Sequence, residues 1–152
     1  MKVVVQRVKK SSVKVSKKVV GQIDNGLLIF VGFTHNDTVE NIDYIVNKIV
    51  NLRIFDDEFG VMNKSILDLK YSVLSISQFT LYGNCKKGNR PSYVEALNGD
   101  EAKKLYDIFN QKLKEYVNVQ TGVFKSDMEV SLINDGPVTI IIERWWYNNR
   151  KY

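Results

Sequence analysis

Apolar and polar residues recur along this chain with the periods of strands and helices. Helical spacing follows Asp37, where Asp37-Thr38-Val39-Glu40 fits a capping box, and a second helix is predicted to begin at Asp100. The remaining apolar segments read as strands, and these cover residues 2–9, 12–16, 27–33, 71–82, 117–123, 128–133 and 138–142. This order predicts an α+β fold, with a curved, barrel-like, largely antiparallel β-sheet and two main helices.

Length and composition fit a single domain over residues 1–152. The 152 residues contain only two prolines and no low-complexity linker, so no domain boundary is predicted. No apolar run is long enough to span a bilayer, and charges interrupt the first residues too early for a secretory signal. A lone cysteine, Cys85, cannot form an internal disulfide. We therefore expect a cytoplasmic protein that does not enter a membrane.

Positive charge is concentrated near the start of the chain. Lysine and arginine exceed aspartate and glutamate by 22 to 17, which gives a net charge of +5. The first acidic residue is Asp24, and seven basic residues precede it: Lys2, Arg7, Lys9, Lys10, Lys14, Lys17 and Lys18. Such clustering favours a polyanionic partner such as nucleic acid, although a solvated lysine-rich surface would have the same composition.

The strand-like run 71–82 ends in the polar segment Ser77-Gln78-Phe79-Thr80-Leu81-Tyr82. Three of its first four residues carry side chains that must form hydrogen bonds if they are buried. One interpretation is a strand that passes from the core to the rim and bonds to water. The other is a strand end that lines a site with hydroxyl, amide and backbone N–H groups.

A second unusual segment is Asn134-Asp135-Gly136-Pro137-Val138-Thr139. Its first four residues are turn formers and predict a hairpin turn. Pro137, however, begins a predicted strand, where it removes a ladder donor. A cis Gly136–Pro137 bond would direct two carbonyl oxygens the same way, and such a pair would bind an ammonium group. The sequence does not decide between these interpretations.

Several classes of enzyme are disfavoured by the residues present. The single histidine, His35, is not accompanied by a Gly-x-Ser-x-Gly elbow, and Walker, Gly-x-Gly-x-x-Gly and zinc-ligand patterns do not occur. The acidic trio Asp56-Asp57-Glu58 lacks the spacing of a calcium loop and is interpreted as a solvated turn. Two hypotheses remain: a nucleic-acid-binding module, and a cofactor-free hydrolase that acts through positioning and backbone donors.

The chain resembles the D-aminoacyl-tRNA deacylases, also called D-tyrosyl-tRNA deacylases, almost from end to end. The motifs that carry the resemblance are Val5-Gln6-Arg7-Val8, Leu52-Arg53-Ile54-Phe55, Ser77-Gln78-Phe79-Thr80-Leu81, Gly88-Asn89-Arg90-Pro91-Ser92 and Asn134-Asp135-Gly136-Pro137-Val138-Thr139. The resemblance implies a cytoplasmic homodimer without cofactor or metal. It implies hydrolysis of the ester between a D-amino acid and the 3′-terminal adenosine of tRNA, and we expect glycyl-tRNA to be hydrolysed too. The alternative is a tRNA-binding module that lacks catalysis.

The resemblance also assigns roles to particular residues. Ser77, Gln78, Phe79 and Thr80 match the catalytic pocket. Gly136 and Pro137 match a cis pair that reaches into the partner subunit's site, captures the α-amino group and rejects L side chains, and Arg7 matches an arginine that supports their carbonyls. An inert surface role for Arg7 remains open. Two mechanisms remain for the hydrolysis. In the first, Thr80 is the nucleophile. In the second, which we favour, the ribose 2′-hydroxyl assists an attacking water and backbone N–H groups near Phe79 stabilise the oxyanion.

Three features depart from the family pattern. Lys125 and Ser126 replace a small residue and alanine after Phe124, which places the local pocket rim in doubt. Val61 replaces the usual lysine before Met62-Asn63. The tail from Trp145 to Tyr152 extends past the usual end. Its first three residues, Trp145-Trp146-Tyr147, are apolar, and we expect them to cover the core or to lie at a subunit contact.

Overall fold

The computed structural model describes residues 1–144, and the tail Trp145–Tyr152 lies outside the described residues. The strands are β1 (Lys2–Val15), β2 (Lys18–Ile23), β3 (Gly26–Gly32), β4 (Phe55–Asp56), β5 (Met62–Lys64), β6 (Ser72–Ser77), β7 (Val119–Thr121) and β8 (Glu129–Glu143). The helices are α1 (Val39–Asn51), α2 (Ile66–Leu69), α3 (Gly99–Lys114) and a 3-10 helix, Phe79–Tyr82. Within residues 1–144, no helix combines the length and apolar character needed to cross a membrane.

The long strand β1 organises the main sheet. One of its edges pairs first with β3 and then with β2, and the other pairs with β8 along almost its whole length, from Lys2–Glu143 to Lys14–Glu129. The sequence predicted two strands here, over 2–9 and 12–16, and that division is wrong. The register with β8 shifts between Val8 and Lys10, so a bulge interrupts the alternation without ending the strand.

The sheet is mixed, because long crossovers connect three of its strands. The neighbours of β1 are antiparallel to it, whereas β3 pairs in parallel with β6, and β6 with β7. The connections that lead to β6 and to β7 contain α1 and α3, as parallel pairing requires. The predicted α+β fold with a curved, barrel-like sheet and two main helices is confirmed.

Two apolar cores hold this architecture together. The larger one packs the inner faces of α1 and α3 against the sheet and includes Ile45, Ile49 and Phe109, which are fully buried. The smaller core fills the curled part of the sheet and contains Val8, Val13, Ile23, Leu28, Leu74 and Ile76. Because Val13 of β1 and Ile76 of β6 share this core, the β1–β2 hairpin lies near the carboxyl end of β6.

The start of α1 differs from the predicted cap at Asp37. The N-cap is Thr38, whose hydroxyl donates to Asn41 Oδ1 at 2.7 Å. The side chain of Asp37 is instead buried and accepts from the α-ammonium group of Met1 and from the backbone N–H of Thr34, both at 2.8 Å. A buried carboxylate that has acquired a positive partner is no longer available to cap the helix.

Candidate active site

A cleft lies at the carboxyl end of β6. Its volume is about 580 Å³, within the range of small-ligand sites. Ser77, Gln78 and Phe79 form one wall, and three other segments complete it, with lining residues Val31, Gly32, Phe33, Leu97, Asn98, Gly99, Ala102, Phe124, Lys125, Ser126, Asp127, Met128 and Val130. Two further clefts, of about 480 and 690 Å³, contain none of the predicted site residues.

The chain leaves the sheet directly after Ser77. The backbone N–H of Gln78 still donates to Val31 O at 2.7 Å, but Phe79–Tyr82 then turn into the 3-10 helix, so the strand predicted to reach residue 82 ends early. Phe79 is 47% exposed and contacts Tyr93 edge to face, with ring centroids 5.2 Å apart. The polar segment is therefore the end of a strand at the rim of a cleft.

Within residues 1–144, no general base is hydrogen-bonded to the hydroxyl of Thr80. Its hydroxyl accepts a hydrogen bond from Gln78 Nε2, and an amide cannot take up a proton at neutral pH. His35, the only histidine of the chain, has Nε2 2.9 Å from Val94 O instead. The N–H groups of Phe79 and Thr80 belong to the first turn of the 3-10 helix, where the helix offers no acceptor. The arrangement thus presents backbone donors rather than an activated hydroxyl.

Sequence reasoning missed one of the cleft walls, the start of α3 with Asn98, Gly99 and Ala102, because these residues carry no chemical signal in the sequence. A second wall, residues 124–128, includes Lys125 and Ser126, which depart from the family pattern and which the resemblance places at the pocket rim. The departure therefore falls on the cleft itself.

A buried hydroxyl supports the second wall from behind. Tyr106 of α3 packs its ring against Phe124, with centroids 5.9 Å apart. Its hydroxyl donates to Ser75 O at 2.9 Å and accepts from Ser75 Oγ at 3.1 Å. Burial raises the pKa of the Tyr106 hydroxyl, which therefore remains a protonated donor. Ser75 lies two residues before Ser77, so this contact links α3, β6 and the cleft.

The segment Asn134–Thr139 is not a hairpin turn. It is a bulge within the continuous strand β8, because Gln6 pairs with Thr139 while Val8, only two residues later, pairs with Asn134. The side chain of Asn134 closes the bulge, accepting from Val138 N–H at 2.8 Å and donating to Thr139 Oγ1 at 3.0 Å. Predicting separate strands over 128–133 and 138–142 was therefore wrong: β8 runs through the turn-forming residues.

Inside the bulge, the backbone has a conformation that favours glycine. Gly136 has a φ of +138°, and the Gly136–Pro137 peptide bond is cis, the isomer that the sequence left open. A Cβ built on Gly136 would lie 2.9 Å from Val138 N and 3.2 Å from an Arg7 guanidinium nitrogen. Both Gly136 and Pro137 are exposed. The bulge therefore presents two exposed residues on a tightly packed support.

Arg7 provides that support from beneath. It is buried, which excludes an inert surface role, and its Nε donates to Asp135 O at 2.9 Å. A second guanidinium nitrogen donates to Ile54 O at 2.7 Å and lies 3.4 Å from Asp56 Oδ1. One side chain thus joins the bulge to the chain that leads into β4.

A single chain does not bring the two motifs together. Gln78 is hydrogen-bonded to Val31, which pairs with Val3 of β1. The bulge is instead hydrogen-bonded to Arg7, four positions further along β1. Four positions of strand correspond to about 13 Å, so the two motifs lie at different heights along β1. No residue of the bulge lines the cleft. The predicted site residues therefore form two separate groups.

Metal binding finds no support among the described residues, which contain no group of three or more histidine, cysteine, aspartate or glutamate side chains suited to an ion. In the acidic turn, Asp57 Oδ1 instead accepts from the N–H groups of Phe59 and Val61. The N–H of Val61 is the main cause of the lowered pKa of the Asp57 carboxyl. The carboxylate of Asp57 thus stabilises the turn of the β4–β5 hairpin.

Comparison with known proteins finds the same family that the sequence motifs resemble. Curated proteins named D-aminoacyl-tRNA deacylase from Clostridium acetobutylicum and Bacillus cereus are each 56% identical over 144 residues, covering 94% of this chain and 97% and 99% of theirs. A solved structure titled c-Myc DNA unwinding element binding protein superposes with a TM-score of 0.90 at 38% identity, covering 95% of this chain and 99% of its own. The family model described as D-Tyr-tRNA(Tyr) deacylase matches residues 4–143. The chain therefore belongs to the D-Tyr-tRNA(Tyr) deacylase family, whose members are hydrolases.

Proposed function

We propose that this protein hydrolyses the ester bond between a D-amino acid and the 3′-terminal adenosine of tRNA. Water adds to the ester carbonyl, the bond to the ribose oxygen breaks, and free D-amino acid and tRNA are released. The observation that carries the proposal is the intact Ser77–Thr80 motif, of which Ser77, Gln78 and Phe79 line a cleft of ligand size, in a chain of this family. The reaction needs only water and takes place in the cytoplasm, where tRNA is charged.

The cleft suits the end of an aminoacyl-tRNA. Apolar side chains such as Phe33, Ala102 and Phe124 offer a surface for the adenine base, and the polar wall lies beside them. With the ester at Phe79, the N–H groups of Phe79 and Thr80 would stabilise the oxyanion that forms when water attacks. The ribose 2′-hydroxyl would assist that water, because no base accompanies Thr80.

The chirality of the reaction requires the second motif. We propose that two copies associate, so that Gly136 and Pro137 of one subunit reach the cleft of the other. The separation of bulge and cleft within one chain supports this arrangement, as does the exposure of both residues. On the same strand, Ile133 and Ile141 are 50% and 67% exposed, and a second copy associating along this strand would cover them.

Selectivity would then arise by exclusion. The carbonyl oxygens of Gly136 and Pro137 would bind the α-ammonium group of the amino acid and leave room for a hydrogen where an L residue carries its side chain. An L ester would collide with the bulge, which Arg7 and Asn134 hold in place. Such an enzyme removes D-amino acids from mischarged tRNA and leaves the L esters that protein synthesis uses.

Mixing two inactive variants tests the shared site. Gly136→Val disables the bulge, and Gln78→Ala with Phe79→Ala disables the cleft. Refolded together, the two chains form mixed dimers with one intact site, so about a quarter of the wild-type activity is expected to return. Activity that stays at the sum of the separate variants, with circular dichroism showing both folded, would contradict a shared site.

The alternative is a module that binds nucleic acid without catalysis. The relative whose title names binding to a DNA element, with a TM-score of 0.90, favours this alternative. Turnover separates the two functions. With 1 protein per 100 D-tyrosyl-tRNA molecules, a hydrolase releases all of the D-tyrosine, whereas a binding module protects the ester or leaves its spontaneous decay unchanged.

A further inference from the structure

The lysine cluster near the start of the chain forms the tip of the β1–β2 hairpin. Lys14, Lys17 and Lys18 are all exposed there. The two turn residues, Ser16 and Lys17, have φ values of 48° and 69°. This is the paired positive-φ geometry of a two-residue hairpin turn, which matches the twist of the strands and fixes the position of the tip.

These three lysines have no acidic partner in the described part of the chain. The ion pairs formed by residues 1–144 involve other basic groups. Three like charges within five residues repel one another, and Glu129, which lies opposite Lys14 on β8, reduces this repulsion only in part. A cluster with such a net positive charge attracts polyanions and releases counterions when it binds them.

The hairpin lies next to one wall of the cleft. Strand β2 approaches β7 closely, since a Cβ on Gly21 would be 2.7 Å from Thr121 O. On the other strand of the hairpin, Val13 pairs with Val130, a cleft residue, and Lys14 pairs with Glu129. The lysine tip therefore lies beside the segment that connects β7 to β8, outside the cleft.

Lys125 extends the positive charge to the cleft itself. It lines the rim, is exposed and has a φ of +68°. Lys125 lies four positions before Glu129, which is opposite Lys14 on the neighbouring strand. An extended chain spans at most about 14 Å over four positions, and the strand spacing adds about 5 Å, so the Cα atoms of Lys125 and Lys14 are within about 19 Å of each other. Asp127 and Glu129 on the same segment reduce the charge, but four lysines against two carboxylates leave it positive.

We propose that Lys14, Lys17, Lys18 and Lys125 form a binding surface for the sugar–phosphate backbone of the base-paired RNA that adjoins the 3′ end held in the cleft. This rests on the proposed function, because it is the 3′-terminal adenosine in the cleft that brings a duplex to this side of the protein. A lysine is a flexible point charge that binds phosphate without reading bases. The surface therefore adds affinity for tRNA in general and no preference for its sequence.

Binding of uncharged tRNA tests the surface independently of catalysis. The variant Lys14→Gln/Lys17→Gln/Lys18→Gln is compared with Lys48→Gln/Lys70→Gln/Lys114→Gln. The second variant removes the same charge from exposed lysines in α1, directly after α2 and at the end of α3. We expect at least tenfold weaker binding for the hairpin variant, with a slope of log affinity against log salt reduced by about 1 per lysine, and less than twofold for the control. Lys125→Gln is expected to weaken binding about threefold.

Hydrolysis separates this proposal from the proposed function. For the hairpin variant, the loss of kcat/KM on D-tyrosyl-tRNA should exceed the loss on the D-tyrosyl ester of adenosine by at least tenfold, through KM. A hairpin variant that binds tRNA as the wild type does, or that loses no more than the control, overturns the proposal. Should the wild type bind tRNA through the hairpin yet hydrolyse neither ester, the surface stands and only the proposed function fails.

Discussion

Replacing Arg7 should loosen the bulge that carries Gly136 and Pro137. Two guanidinium hydrogen bonds, to Asp135 O at 2.9 Å and to Ile54 O at 2.7 Å, join segments that no other side chain connects in this way among the described residues. Methionine fills a similar volume and donates nothing. Arg7→Met therefore leaves two carbonyl groups without their donor and removes a buried positive charge.

The expected cost follows from these contacts. A carbonyl that loses its donor costs about 1–3 kcal/mol, and partial access of water to the exposed bulge lowers the sum for two to about 2–4 kcal/mol. The carboxylates of Asp56 and Asp135 add little, since they are 52% and 37% exposed and water screens them. Arg7→Lys can reach only one carbonyl and should cost about half as much.

Urea unfolding measures this stability, and hydrolysis of D- and L-tyrosyl-tRNA measures the consequence for the site. We expect kcat/KM for the D ester to fall about 100-fold in Arg7→Met, because a displacement of about 1 Å at a positioning group has an effect of that size. Selectivity for D over L should fall with it. Lys9→Met, which removes an exposed charge two residues away, is the control.

Two results would refute this reasoning. Stability within 0.5 kcal/mol of the wild type would mean that the guanidinium hydrogen bonds do not hold the bulge. A destabilised Arg7→Met that keeps its full selectivity would mean that the bulge does not set the chirality of the reaction.

Four further predictions concern the rest of the site and the fold. Thr80→Ala should keep most of the rate; a loss of three orders of magnitude with the fold intact would identify Thr80 as the nucleophile. Glycyl-tRNA should be hydrolysed, since it has no side chain to exclude, and its survival under conditions that clear the D ester would count against exclusion. Tyr106→Phe should lower the free energy of unfolding in urea by about 1–2 kcal/mol, because it deprives Ser75 of a buried partner. Because the pKa of Asp57 is lowered in the folded state, its contribution to stability is present above the unfolded pKa and is lost as pH falls through the folded pKa. In acid unfolding experiments, the stability of Asp57→Asn should therefore decline less with falling pH than that of the wild type.

The two motifs could be located from sequence because each breaks a strand pattern. Polar residues at the end of an apolar run mark Ser77–Thr80, and a proline at the start of a strand marks Pro137. The role of Arg7 was assigned through the family resemblance, and the choice against an inert surface residue needed the structure, since its burial depends on the strand that lies beside it.

The nature of the second motif could not be predicted locally. Four turn formers in succession predict a reversal of the chain, and the bulge replaces it because β1 continues as a partner on both sides. The sequence of a strand does not state which strand it will pair with. The same limit applies to the cleft wall at the start of α3, because Asn98, Gly99 and Ala102 resemble ordinary loop and core positions.

The most direct test of the account is the hydrolysis of one tRNA charged with D-tyrosine and, separately, with L-tyrosine, by catalytic amounts of the wild-type protein. The account predicts rapid and complete loss of the D ester, while the L ester decays only at its spontaneous rate. Loss of both esters at similar rates would contradict exclusion by the Gly136–Pro137 bulge. Survival of both, with the tRNA bound, would contradict catalysis at the Ser77–Thr80 cleft.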